Sequence, residues 1–341
     1  MELGITIKRS VRRLVKESTN MSFDAIYKKF WEILHSDIDP ENEFPDNAPL
    51  LAHYTSLANL ENILKNREVW LSNPLFMNDL EEVRFGVNAG VDIALNCEEL
   101  SAALESEPRS KLFRENLMHY FNEYANEQVL DLYVMCFSVH NESEKDGKLS
   151  MWRGYGQNGK GCALVFDTSK ISVTNDSPLA LAAVSYGTPE ERRGLIRAKV
   201  LEVSKFIESN RVEDEKLHIL ANALFLRICL FAIFTKHSGF REENEWRMVY
   251  FKNRDIDGRL HKFFSYFNGP EGIQPKLKLP TRPIEGVIRD DFSIESIIHS
   301  IVIGPSAASP MAKISVERML NSIGMQNLTA RLHMSGIPFR G

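Results

Sequence analysis

Three separated segments carry side chains able to do chemistry. The first is His53-Tyr54-Thr55. On a strand, alternate residues face opposite sides, so His53 and Thr55 share one side and Tyr54 takes the other. An imidazole beside a hydroxyl can hold a ribose or an amide by hydrogen bonds. A helix starting just after them would favour an anion such as phosphate. The same residues also suit plain structure, with Thr55 capping that helix and His53 satisfying buried backbone.

The second segment pairs Cys136-Phe137-Ser138 with Met151-Trp152-Arg153-Gly154-Tyr155-Gly156. Aromatic residues beside glycines can form a wall on which a planar ring stacks. Ser138 and Arg153 could reach the polar parts of such a ligand, Arg153 a phosphate. A core tryptophan followed by a turn explains the same letters. The third segment, Phe240-Arg241-Glu242-Glu243-Asn244-Glu245-Trp246-Arg247, has two carboxylates two residues apart. On a strand Glu243 and Glu245 would share a face, repel, and suit proton handling or stabilisation of a cation. The alternative is a solvated loop with a Glu245–Arg247 surface pair.

Other chemistries find no support. There is no Walker loop, GxGxxG, GxSxG or HExxH. The histidines form no metal-ligand spacing. Cys97, Cys136, Cys162 and Cys229 are far apart, without a CxxC pair. That argues against structural zinc and against a secreted disulfide scaffold, and it fits buried thiols in a reducing cytoplasm. No metal is expected.

The chain has 341 residues, 43% of them hydrophobic, enough for a sizeable core. Its net charge of -5 does not recommend a nucleic-acid partner. Lys8, Arg9, Arg12, Arg13 and Lys16 instead suggest a basic N-terminal helix docked on the domain. No apolar run follows them, so no secretory signal is read there. The apolar stretch Leu217–Phe234 contains Asn222 and Arg227 and reads as a buried helix rather than a membrane span.

These residues need elements to position them. A helix is expected over 22–36, capped by Ser22, and a loop over Asp37–Pro49. Residues 1–46 therefore read as a helical appendage, and 47–341 as a single α+β domain. Strands are expected at Leu50–Tyr54, Glu68–Ser72, Leu132–Val139, Cys162–Phe166, Ala180–Tyr186, Glu245–Phe251, Ile297–Ile303 and Thr329–His333. Helices are expected within 79–126, at about 188–210 and 213–235, and after Ser309–Pro310. Lys236 and His237 would close the helix at 213–235 as C-terminal cations. The strands lie between helices without a βαβ rhythm, which favours α+β over a doubly wound sheet.

The order of the motifs resembles a bacterial family of unknown function. The run "HYTS..NLENILKN.EVWLSNP..MND" at 53–79 carries the likeness, with "CFS" at 136–138 and "MWRGYGQNGKGCALVFD" at 151–167. "FREENEWR" at 240–247, "IVIGP" at 301–305 and "SGIPFR" at 335–340 complete it. More distantly, the opening motif resembles the ADP-ribosyltransferase superfamily in its DarT-like branch. That resemblance implies an ADP-ribosyltransferase-like mixed β core with inserted and flanking helices.

The resemblance also implies roles. His53, with Tyr54 and Thr55 beside it, would bind the ribose of NAD. Tyr155 or Trp152 would stack on nicotinamide. Glu245 would stabilise the oxocarbenium-like transition state, and Glu243 would complete an ExE pattern. The implied activity is ADP-ribosyl transfer to a protein or nucleic acid, or NAD hydrolysis, in a toxin or phage-defence effector with an antitoxin-like partner. The alternative is a non-catalytic sensor or interaction domain that binds a nucleotide and has lost the reaction.

Overall fold

Runs rich in β-branched and aromatic residues extend, and residues of helical period coil. In the computed structural model these tendencies are described for residues 25–38, 43–77, 80–126, 131–174, 177–210, 212–252, 255–269, 272–289 and 292–339. The basic segment 1–20, the Ser22 cap and Arg340 lie outside the described residues.

In chain order the elements begin with α1 (Ala25–Leu34), β1 (Leu50–Thr55), α2 (Leu57–Asn66), β2 (Glu68–Ser72), α3 (Leu80–Leu95), α4 (Glu98–Ala103), α5 (Glu107–Asn126) and β3 (Leu132–Val139). They continue with α6 (Leu149–Gly154), β4 (Cys162–Asp167), β5 (Leu179–Ala183), β6 (Ser185–Gly187), α7 (Pro189–Ser209), α8 (Leu217–Ile233) and β7 (Thr235–His237). The last are β8 (Glu245–Phe251), β9 (Phe264–Gly269), β10 (Gly272–Pro280), α9 (Ile294–Ile297), β11 (Ile298–Ile303), α10 (Pro310–Ser322) and β12 (Leu332–Met334). The chain is α+β, with a mixed sheet and flanking helices.

An appendage ending at residue 46 and a single following domain were expected, and the chain divides differently. A helical unit comprises the described residues of Met1–Asn42, Asn73–Leu132 and Val184–Phe240. A sheet unit comprises Glu43–Ser72, Tyr133–Ala183 and the described residues of Arg241–Gly341. The helical segments 73–132 and 184–240 are inserted between strands, so the composition shift near residue 46 marks one of several crossings.

In the helical unit, α8 packs on α3 and α5. Asp214–Ile233 is long and apolar enough to cross a membrane by length and composition, yet most of it is buried among the helices. Gly86 and Gly90 let α3 approach closely. A Cβ on Gly86 would stand 2.7 Å from the Ala232 Cβ, and one on Gly90 would collide with Ile228. Two buried cations bind the end of α1. Arg227 donates to Leu34 O at 2.9 Å and to Asp37 Oδ2 at 2.7 Å, and Lys199 donates to Ile33 O at 3.0 Å. Positive charge at a helix C-terminus is favourable, and the last carbonyls gain donors. Lys236 and His237, expected at a helix end, follow α8 in β7, which pairs in parallel with β6.

In the sheet unit the strands run β12-β11-β4-β1-β3-β2-β10-β9, with β8 pairing β3 and β5. Neighbours are antiparallel except β11 with β12. Leu51, Phe137, Leu164, Phe166, Ile301 and Ile303 enter one core. Their strand neighbours Ala52, Tyr54, Ala163, Val165 and Val302 enter another, with Met151 and Trp152. Strands buried on both faces read as continuous apolar runs, as β4 and β11 do. The β9–β10 hairpin was not expected, because Pro275 and Pro280 disguise it. Pro275 precedes the Lys276–Pro280 stretch that pairs with β2, and on the other side it registers with Tyr266 of β9.

Two outcomes follow for the helical unit. Gly90→Leu should cost about 1–3 kcal/mol by overpacking, read as a lower melting temperature of the helical signal. His35 is fully buried, donates from Nδ1 to Trp31 O at 2.9 Å, and has its pKa lowered by burial to about 3. The unfolded chain therefore takes up this proton first as pH falls. His35 contributes fully above its ordinary value of about 6.5, and the contribution is lost as pH drops towards about 3. Denaturant titrations from pH 7 to 4 should show a steeper stability loss in wild type than in His35→Gln.

Candidate functional site

β1 delivers His53 to the main core face. His53 registers with Leu164 of β4, which lies in that core, and its ring meets the edge of Phe137 at 6.0 Å. Nδ1 hydrogen-bonds to Cys136 O at 3.0 Å. Burial holds the imidazole below its ordinary pKa, and the Cys136 hydrogen bond pulls the other way. Ser56, not Thr55, caps α2 by accepting from Asn59 N at 3.0 Å. Thr55 is buried and accepts from Asn59 Nδ2 at 2.9 Å. His53 thus meets backbone, as its structural alternative had it, while the capping role expected of Thr55 falls to Ser56.

Tyr54 and Ser138 lie on the opposite face. Ala52 registers with Ser138, and Ala52 and Tyr54 belong to the second core. The Tyr54 hydroxyl accepts from Lys148 N at 3.0 Å, and its ring stands edge-on to Trp152 at 4.8 Å. Burial, the leading cause, pushes the Tyr54 pKa up to about 12. Trp152 is fully buried, and its indole donates to Asp146 O at 2.9 Å. It offers no open face to a planar ligand. Gly147 (φ +73°) makes this packing feasible, since a Cβ there would sit 2.7 Å from the Tyr54 hydroxyl and 3.1 Å from the indole nitrogen.

Glu243 and Glu245 do not share a face. Glu243 ends a 3-10 turn and Glu245 begins β8, while Asn244 between them is left-handed (φ 45°). That conformation breaks the alternation on which the paired-carboxylate expectation rested. Each carboxylate has its own partner. Glu245 is buried and bidentate with buried Arg247, Nε to Oε1 at 2.7 Å and the second contact at 3.2 Å. The expected surface pair is therefore a buried one. Trp246 and Tyr250 enter the same core as Leu164, so Glu245 and Arg247 point away from His53. The structure does not bring His53 and Glu245 together.

It does bring four other groups together. Tyr155, partly exposed, donates its hydroxyl to Glu243 Oε1 at 2.9 Å. Ser138, buried beneath, donates to Glu243 O at 2.5 Å and accepts from Lys148 Nζ at 3.1 Å. Ser138 acts as a buried bracket between the Glu243 backbone and the lysine. Burial lowers the Lys148 pKa, opposed by the nearby charges of Glu144 and Glu242. Arg153 is exposed, and its guanidinium lies over the Phe339 ring at 5.1 Å. Lys148 went unnoticed in the sequence because it closes a polar loop beside Lys145, and nothing in its spacing separates the two.

The four cysteines are free thiols, and among the described residues no group of three His, Cys, Asp or Glu could hold a metal. Breaking the buried pair with Arg247→Leu should destabilise the protein by about 3–5 kcal/mol, because Glu245 would lose the bidentate guanidinium that balances its buried charge. The double variant Glu245→Leu/Arg247→Leu should regain most of that in urea titrations. A double variant as unstable as the single one would contradict this account.

The chain has no match among curated proteins and none among solved structures. Residues 151–248, which run from α6 into β8 and include Trp152, Tyr155, Glu243 and Glu245, match the model of a family described as a protein of unknown function (DUF2971).

Proposed function

We infer that the sheet unit binds a nucleotide, NAD foremost, over the Tyr155–Glu243 pair and breaks its N-glycosidic bond. The observation that carries this reading is the hydrogen bond from the partly exposed Tyr155 to Glu243. It joins a partly exposed aromatic ring with a carboxylate that accepts from its hydroxyl. In the reaction the bond between C1′ and the nicotinamide nitrogen breaks. Nicotinamide leaves neutral with the bonding pair, and positive charge develops on the ribose. A fixed carboxylate stabilises that charge. Water or an acceptor nucleophile then bonds to C1′ and gives up its proton to solvent.

In this reading Glu243 takes the role that the resemblance gave to Glu245, since Glu245 is committed to Arg247. Tyr155, not the buried Trp152, is the stacking residue. His53 has no part, because it faces the other core. Both NAD hydrolysis and ADP-ribosyl transfer fit this chemistry. Either would threaten the cell that makes the protein, which is the logic of a toxin or phage-defence effector with a restraining partner.

The second reading, a sensor that binds a nucleotide without turnover, draws on the neutralisation of Glu245 by Arg247. Nicotinamide release on incubation with NAD separates the two. Glu243→Gln should lower kcat on the order of a hundredfold or more, while Tyr155→Ala should weaken binding by about tenfold. Binding without release, unchanged in Glu243→Gln, would favour the sensor. Neither release nor thermal stabilisation by NAD would end both readings.

A further inference from the structure

Lys148 is a half-buried cation whose environment is incomplete. Its Nζ donates to Ser138 Oγ at 3.1 Å, and it forms no ion pair among the described residues. An ammonium has three protons to donate, and a partly desolvated one gains from an anion. Tyr54 adds a second donor. Its oxygen accepts from Lys148 N, and no acceptor for its own proton occurs among the described residues. A phenol whose pKa is pushed up to about 12 keeps that proton at neutral pH. Ser138 ties Lys148 to the Glu243 backbone, which fixes the ammonium close to the Tyr155–Glu243 pair.

We propose that Lys148, with Tyr54 beside it, is a phosphate-binding subsite that makes the sheet unit select phosphorylated nucleotides over nucleosides. This deepens the reading of the Tyr155–Glu243 pair and rests on it for the nucleotide. The phosphate chemistry itself rests on Lys148, with Tyr54 as the second donor. Arg153, the residue whose type first suggests phosphate binding, stacks on Phe339 instead. Ser138 positions Lys148 and is too buried to meet a ligand.

The test uses the full chain with NAD, nicotinamide riboside and inorganic pyrophosphate. Wild type should bind NAD on the order of tenfold or more tighter than the riboside, the gain of a charge-assisted hydrogen bond. Pyrophosphate should bind with salt-sensitive affinity and compete with NAD but not with the riboside, a measurement that needs no variant. Lys148→Met should lose the NAD advantage and the pyrophosphate binding while keeping riboside affinity, and Lys148→Arg should retain part of both. The proposal is overturned if Lys148→Met binds NAD as wild type does. Equal weakening of NAD and riboside would overturn it too, as would wild type binding neither NAD nor pyrophosphate. NAD cleavage indifferent to Lys148 leaves the functional reading standing and removes the subsite. Lys148-dependent pyrophosphate binding without nicotinamide release does the reverse.

Discussion

The period of two along β1 governs what the sheet unit can assemble. β1 is flanked by β3 and β4, and both its faces are buried. Leu51 and His53 therefore point to one side, Leu51 into the main core, and Ala52 and Tyr54 to the other. A shift of one residue in register would exchange these sets and bury the wrong side chains on both faces. The antiparallel pairing with β3 then decides that Ser138 lies with Tyr54 rather than with His53. Every polar contact of the candidate site inherits this choice. The hydroxyl of Tyr54 meets Lys148, Lys148 meets Ser138, and Ser138 meets the Glu243 backbone.

Backbone conformation supplies what alternation cannot. Asn244 in the left-handed region separates two carboxylates that an uninterrupted strand would have placed side by side. Asparagine tolerates that region better than most non-glycine residues. Two adjacent carboxylates in one desolvated place would repel. With Asn244 between them, one is neutralised by a guanidinium inside the fold and the other is oriented by a phenol at its surface. The glycine-rich turn after α6 shows a similar economy. Gln157, Asn158 and Gly159 are all left-handed, and Gly161 passes directly against the Thr55 carbonyl. This turn carries the chain from Tyr155 straight back into β4.

The strands of the central sheet were legible because their apolar runs are long and bounded by polar loops, as at Leu132–Val139. The start of α10 was equally plain, with Ser309 followed by proline. The division into two units was not legible. Ala180–Tyr186 reads as one strand, yet it splits at Val184, and β5 and β6 join different units. No local propensity encodes that. In the site, residue types were legible and their faces were not. Sequence spacing put Glu243 with Glu245 and left Tyr155 without a partner. The Tyr155–Glu243 hydrogen bond spans a separation of 88 residues, beyond the reach of any periodicity.

The two cations near the candidate site show why burial alone does not mark function. Arg247 is the more deeply buried, and its guanidinium is matched by the two oxygens of Glu245 in a planar fork. That pair completes itself, so a ligand could displace Glu245 only by exposing a buried charge. Lys148 is less buried, yet its ammonium ends on a neutral hydroxyl. Glu144 and Glu242 influence it without pairing to it. A cation partly stripped of water and with no ion pair among the described residues is costly for the fold. Retaining it beside an exposed aromatic ring and an oriented carboxylate is what a ligand-binding surface requires, because an incoming anion then offsets a charge the protein has already desolvated.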